Sequence, residues 1–133
     1  MSGREEAPLT HASVISVIDD DTSFRRATAR LVDSLGHTVE SFASAEEFLE
    51  SGRLDDTACL ISDVQMPGMS GIELQSRLRA EGHWLPIIFI TAYPRSNARH
   101  EALASGAVGF LSKPFSDNEL IGCIDQALAT RPS

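Results

Sequence analysis

The stretch Leu60-Ile61-Ser62-Asp63-Val64-Gln65-Met66-Pro67-Gly68-Met69-Ser70-Gly71 decides the fold. An apolar run from Ala58 to Ile61 leads to a carboxylate, Asp63, and a Pro-Gly turn signal follows at once. Ser70 then opens a segment with apolar residues at Ile72, Leu74 and Leu78, Glu73 at capping-box distance and Gly82 near its end. Physically this is a buried strand, a tight loop and a helix. In open parallel α/β sheets, ligands bind at the carboxyl edge of the strands, which is where Asp63 stands. An Asp beside a Pro-Gly turn is by itself only turn chemistry. The other strand ends give it weight.

Towards the amino terminus, Val14-Ile15-Ser16-Val17-Ile18 is β-branched and almost wholly apolar, the mark of a strand buried on both faces, and it ends in Asp19-Asp20-Asp21. Phe24, Ala27, Leu31 and Leu35 then recur at helical spacing, with Asp21, Thr22 or Ser23 available as cap and Gly36 as stop. His37 to Phe42 alternates and reads as a second strand near an edge, and Ser44-Ala45-Glu46-Glu47 opens a short helix by capping-box spacing. Towards the carboxyl terminus, Ile87 to Thr91 is a fourth strand, and Arg95 to Ser105 is a helix with a thin apolar stripe. Ala107 to Leu111 is a fifth strand ending in Ser112-Lys113-Pro114, and Ser116 caps an amphipathic last helix through Leu120, Ile124 and Leu128. Five strands alternating with five helices over short connections imply a doubly wound parallel sheet with right-handed crossovers. Residues 1–13 show no periodicity and read as a mobile leader, with one domain over 14–130.

Eleven Lys+Arg against nineteen Asp+Glu give a net charge of −8 in 133 residues. That balance argues against direct contact with nucleic acid or an anionic membrane, both of which reward clustered cations. No apolar run approaches the roughly 20 residues of a membrane span, and no secretory signal opens the chain, so the expected location is the cytoplasm. Cys59 and Cys123 lack metal-ligand or CxxC spacing and read as small hydrophobes in a reducing compartment.

Four strand ends thus carry polar groups: Asp19 and Asp20, Asp63, Thr91 and Lys113. A parallel sheet brings all four to one edge. Carboxylates gathered in one crevice repel one another unless a cation sits among them, and Mg2+, which takes oxygen ligands, is the natural candidate. A lysine and a hydroxyl beside it supply donors for phosphoryl oxygens.

Val17 to Asp20, Ile61 to Gly71, Ile90-Thr91-Ala92, Gly106-Ala107 and Lys113-Pro114-Phe115, in this order, resemble the receiver domain of two-component response regulators over about residues 13–129. Ser44 to Leu49 also looks like receivers that often precede a helix-turn-helix domain. The resemblance implies a flavodoxin-like fold with strand order 2-1-3-4-5. It implies that Asp63 accepts a phosphoryl group from a sensor histidine kinase or phosphotransfer protein. Mg2+ would be held by Asp19, Asp20, Asp63 and the Gln65 backbone carbonyl. Lys113 would pair with the phosphoryl oxygens, with Lys113–Pro114 cis, and Thr91 would hydrogen-bond the acyl phosphate. Phe110 would be the switch aromatic. Readout would run through the fourth helix, fifth strand and fifth helix to a protein partner or a second copy. Such a domain is a regulatory phosphoacceptor, not an enzyme acting on other substrates.

Two alternatives remain at this point. One is a phosphorylation-independent interaction module of the same fold. The other is a Mg2+-dependent aspartate-nucleophile phosphatase built on Asp19-x-Asp21-x-Ser23, which leaves Asp63 without a role. Tyr93, two residues after Thr91, could limit water access to the site, with Pro94 stiffening the loop.

Overall fold

Val14–Ile18 (β1), Thr38–Phe42 (β2), Cys59–Asp63 (β3), Ile87–Thr91 (β4) and Gly109–Ser112 (β5) form the sheet. Thr22–Ser34 (α1), Ala45–Glu50 (α2), Gly71–Ala80 (α3), Ser96–Ala104 (α4) and Asp117–Ala129 (α5) alternate with them. The computed structural model describes residues 13–93 and 96–129. The proposed leader (apart from Ser13), Pro94 and Arg95 lie outside the described residues. All strand pairs are parallel, in the order β2-β1-β3-β4-β5.

The central strands are apolar on both faces because helices cover both. Ile15, Val17, Cys59, Ile61, Ile88 and Ile90 point to one side, where Val32 of α1 and Leu120, Ile124 and Ala127 of α5 pack on them. Ile18, Leu60, Ile87 and Phe89 point to the other, against Phe48 of α2, Leu74 and Leu78 of α3 and Ala102 of α4. This is the period of two that strand geometry imposes. The buried hydroxyl of Ser16 is 2.7 Å from that of Thr57, so this polar interruption of β1 is satisfied.

The caps follow the sequence. Asp21 accepts from the Phe24 N–H at the start of α1. Ser70 and Glu73 form a complete capping box on α3, and Ser116 and Glu119 form another on α5. At α2, Ser44 accepts from the Glu47 N–H, whereas the Glu47 carboxylate reaches one residue further, to the Ala43 N–H.

Three expectations shift. The inner stripe of α1 is Phe24, Thr28, Leu31 and Val32, while Ala27 and Leu35 are exposed, because only the former set lies on the face turned to the sheet. β5 starts at Gly109, not Ala107. The Ala107 N–H closes the end of α4 on the Ala102 carbonyl, and the first bond to β4 is from the Val108 N–H to the Ile87 carbonyl (2.8 Å), so that the paired residues begin at Gly109. α4 spans Ser96–Ala104, within the wider 95–105 expected. No helix among the described residues is long and apolar enough to cross a membrane.

Candidate functional site

β1 is flanked by β2 on one side and β3 on the other, so the sheet order reverses there, and the crevice beyond the carboxyl ends of β1 and β3 is the fold's natural binding position. Asp19 and Asp20 follow β1, and Asp63 ends β3. Their carboxylate oxygens lie within 4.8 Å of one another. A cleft of about 280 Å³ is lined by Asp20, Asp21, Asp63, Gln65, Ala92, Tyr93 and Lys113.

Asp19 and Asp63 are buried, whereas Asp20 is exposed. Asp19 is fixed on both sides: its carboxylate accepts from the Asp21 N–H (2.9 Å) and its carbonyl accepts from the Arg25 guanidinium (2.7 Å). The Lys113 Nζ stands 3.0 Å from Asp19 and 3.5 Å from Asp63. The same ammonium lies 4.3 Å from the centroid of the Phe24 ring, which in turn packs edge-on against Phe115. The Lys113–Pro114 bond is cis. Phe24 reads in the sequence only as a helix-core residue. That it holds the lysine depends on how α1 meets the β5–α5 turn, which no local pattern encodes.

Three carboxylates therefore face one ammonium, and the electrostatics record the imbalance. Burial pushes the Asp63 carboxyl up, and the charge of Asp19 adds to it against the pull of Lys113 and the Gln65 N–H, giving a pKa of about 6. At Lys113 burial works downward, but the hydrogen bond and charge of Asp19, joined by Asp63, outweigh it, and the net shift is upward. The lysine stays an ammonium. An all-oxygen donor set with too little positive charge fits a hard divalent cation. The site passes that test on its own residues.

Thr91 is buried at the end of β4, where its hydroxyl accepts from the Tyr93 N–H (3.0 Å) and does not line the cleft. Phe110 is buried on the α4 side of the sheet, 6.3 Å from the Phe89 ring and 6.0 Å from the Arg99 guanidinium of α4. Tyr93 is 67% exposed at the rim. Gly71 is required for the approach of α3 to β3: a Cβ there would run into the Asp63 carbonyl and the Phe89 ring. No histidine among the described residues lines the cleft, and the Cys59 thiol, pushed up to about 12 by burial, is inert.

The family model described as the response regulator receiver domain matches residues 15–125. The chain belongs to that family. Response regulator protein TodT of Pseudomonas putida is 43% identical over 121 residues, covering 91% of this chain and 53% of that protein. Transcriptional regulatory protein FixJ of Bradyrhizobium diazoefficiens is 39% identical over 120 residues, covering 90% of this chain and 58% of the relative. This receiver thus spans about half the length of the curated relatives it matches. Among solved structures, the crystal structure of FixJ-N superposes with a TM-score of 0.83 at 31% identity, covering 93% of this receiver and 99% of that chain. Response regulator StyR gives 0.79 at 43% identity, covering 87% and 59%. Relatives carry names of regulators, in keeping with a regulatory domain of two-component signalling.

Proposed function

We propose that Asp63 of this receiver takes a phosphoryl group from a phosphohistidine of a sensor histidine kinase or phosphotransfer protein, and that the change is read through the α4–β5–α5 surface. The observation that carries the proposal is the convergence of Asp19, Asp20, Asp63 and Lys113 from three strand ends on one small cleft. In the transfer, an Asp63 oxygen attacks phosphorus, the P–N bond to the donor imidazole breaks, and its electron pair leaves with the ring nitrogen. Asp63 is ionised and nucleophilic above about pH 6. Lys113, held by Asp19 and resting on Phe24, pairs with the phosphoryl oxygens beside it. A magnesium ion, held by Asp19, Asp20, Asp63 and the Gln65 carbonyl, would offset negative charge on the phosphoryl group.

The Thr91 hydroxyl exchanges its contact with the Tyr93 N–H for one to the new phosphoryl oxygen, and Phe110 repacks between β5 and α4 as it does so. Lacking a hydroxyl, Phe110 reports the change by packing alone. A cytoplasmic setting suits a kinase partner. The relatives named as transcriptional regulators suggest an output on transcription, and the −8 charge suggests that this domain itself leaves nucleic acid to another part or partner.

Intact mass after incubation with a small acyl-phosphate donor tests the reading, with and without magnesium and with Asp63→Asn alongside. A magnesium-dependent gain of one phosphoryl group, lost in the variant, is the expected result. No gain, or an equal gain in Asp63→Asn, overturns it.

A further inference from the structure

α3 carries a glutamine on its buried face. Gln75 is 1% exposed, and its Nε2 donates to the carbonyls of Ala102 (3.0 Å) and Ser105 (3.3 Å), which belong to the carboxyl end of α4. One turn later, the Arg79 Nε donates to the same Ser105 carbonyl (3.0 Å), while its guanidinium also binds the His83 and Leu85 carbonyls and lies over Trp84. A cation and an amide on α3 therefore close on the negative end of the α4 dipole. Besides these bonds α4 has only a few holds: Ala102 alone is buried among its described side chains, Ala98 is half-buried, and Arg99 lies over the Phe110 ring.

We infer that Gln75 is a latch that keeps the carboxyl end of α4 docked on α3 and so sets how readily this receiver leaves the arrangement seen here. The latch works against a cost. Nε2 makes two bonds to the end of α4, while the buried Oε1 has no hydrogen-bond partner among the described residues, which offsets part of what those bonds contribute. An amide makes α4 docking directional, so a displaced α4 loses both bonds at once, whereas an apolar contact would fade gradually. The effect on phosphorylation rests on the reading of Asp63 as acceptor. By linkage, weakening a contact specific to the unphosphorylated arrangement favours phosphorylation.

Gln75→Met keeps the length and removes both the donor and the orphaned acceptor. The experiment is amide hydrogen exchange on the full chain, without metal or phosphoryl donor. The amides of Ser105, Gly106 and Ala107, which bond back to Glu101, Leu103 and Ala102, should exchange at least five-fold faster. Ile124 in α5 should be unchanged, and the urea midpoint should move little. Unchanged exchange at those three amides overturns the latch. So does a lowered midpoint with all helices opening alike, which would make Gln75 a general core residue. The initial rate of Asp63 labelling by an acyl-phosphate donor should then rise two- to five-fold. Faster exchange with an unaltered labelling rate refutes the regulatory role. If neither wild type nor variant is labelled, the acceptor reading fails, and the exchange result still decides the latch.

Discussion

α4 and α5 are neighbours in the chain, joined through β5, yet they are attached to the sheet by different means. α5 buries Leu120, Ile124 and Ala127 and adds half-buried Cys123 and Leu128, a continuous apolar stripe over three turns. α4 offers the sheet two alanines and relies on hydrogen bonds from Gln75 and Arg79 at one end. A buried Leu or Ile contributes about 1.5–3 kcal/mol, against about 1 kcal/mol for a hydrogen bond. The helix beside Phe110 and the Thr91 end of β4 is thus the weakly held one. That division confines local opening to one element over a core that stays closed.

The largest effect separates the two helices directly. Ile124→Ala should cost about 2–5 kcal/mol in urea unfolding, whereas Ala102→Gly, the corresponding truncation in α4, should cost about 1–2 kcal/mol. Equal costs would mean that α4 is docked as firmly as α5, and the contrast would be gone.

A smaller effect is expected at the carboxyl ends of β1 and β3, where charge rather than packing is poorly satisfied. Asp63 has its pKa raised from 3.8 to about 6, so its protonated form is the one folding favours. Its contribution to stability is fully present below the unfolded value and is lost as pH rises through about 6. Asp63→Asn should therefore stabilise the metal-free chain at pH 8, by about 1–2 kcal/mol after allowance for solvent in the cleft, and the gain should vanish by about pH 4. Thermal unfolding in a chelator at several pH values measures this. Millimolar Mg2+ should raise the midpoint of the wild type at pH 8 and that of the variant less. A gain independent of pH would show that burial of the Asp63 carboxylate and its crowding by Asp19 are not the cause.

What was legible in the sequence divides along the same line as the two helices. Buried strands announce themselves by β-branched runs and α5 by its Leu120–Ile124 spacing, because hydrophobic burial acts through side-chain type and period alone. Asp19, Asp20, Asp63 and Lys113 were legible as strand-end residues because parallel topology alone brings them to one edge. Gln75 was not. A glutamine between Leu74 and Leu78 reads as a solvated position, and only the approach of α4 turns it inward. The same holds for Phe24 under Lys113, and for the Glu46 carboxylate, which crosses from α2 to the Met69 N–H (2.9 Å). Directional contacts between distant elements have no period to find. Thr28 and Val32 facing inward, in place of Ala27 and Leu35, is the corresponding error within one helix: the spacing was right and the rotation was not.

The smallest effect tests the rim that leads from β4 towards α4. Tyr93 lines the cleft with Ala92, and its N–H occupies the Thr91 hydroxyl, but the ring is two-thirds exposed. A ring so placed shields one side of Asp63 from water and leaves the others open, so Tyr93→Ala should shorten the lifetime of the phosphorylated form by no more than about three-fold, or less than about 1 kcal/mol of barrier. The N–H of residue 93 survives the substitution, and with it the hold on Thr91, so uptake from a small donor should be nearly unchanged while loss quickens. Mass-resolved decay after donor removal separates the two. An unaltered lifetime would assign water access to the other lining residues, Gln65 and Lys113 among them, and Tyr93 would then be simply an exposed ring next to a weakly held helix. A change in uptake as large as that in decay would instead mean that the ring reaches Thr91 and α4 through the backbone, extending the weakly held region to the edge of the site itself.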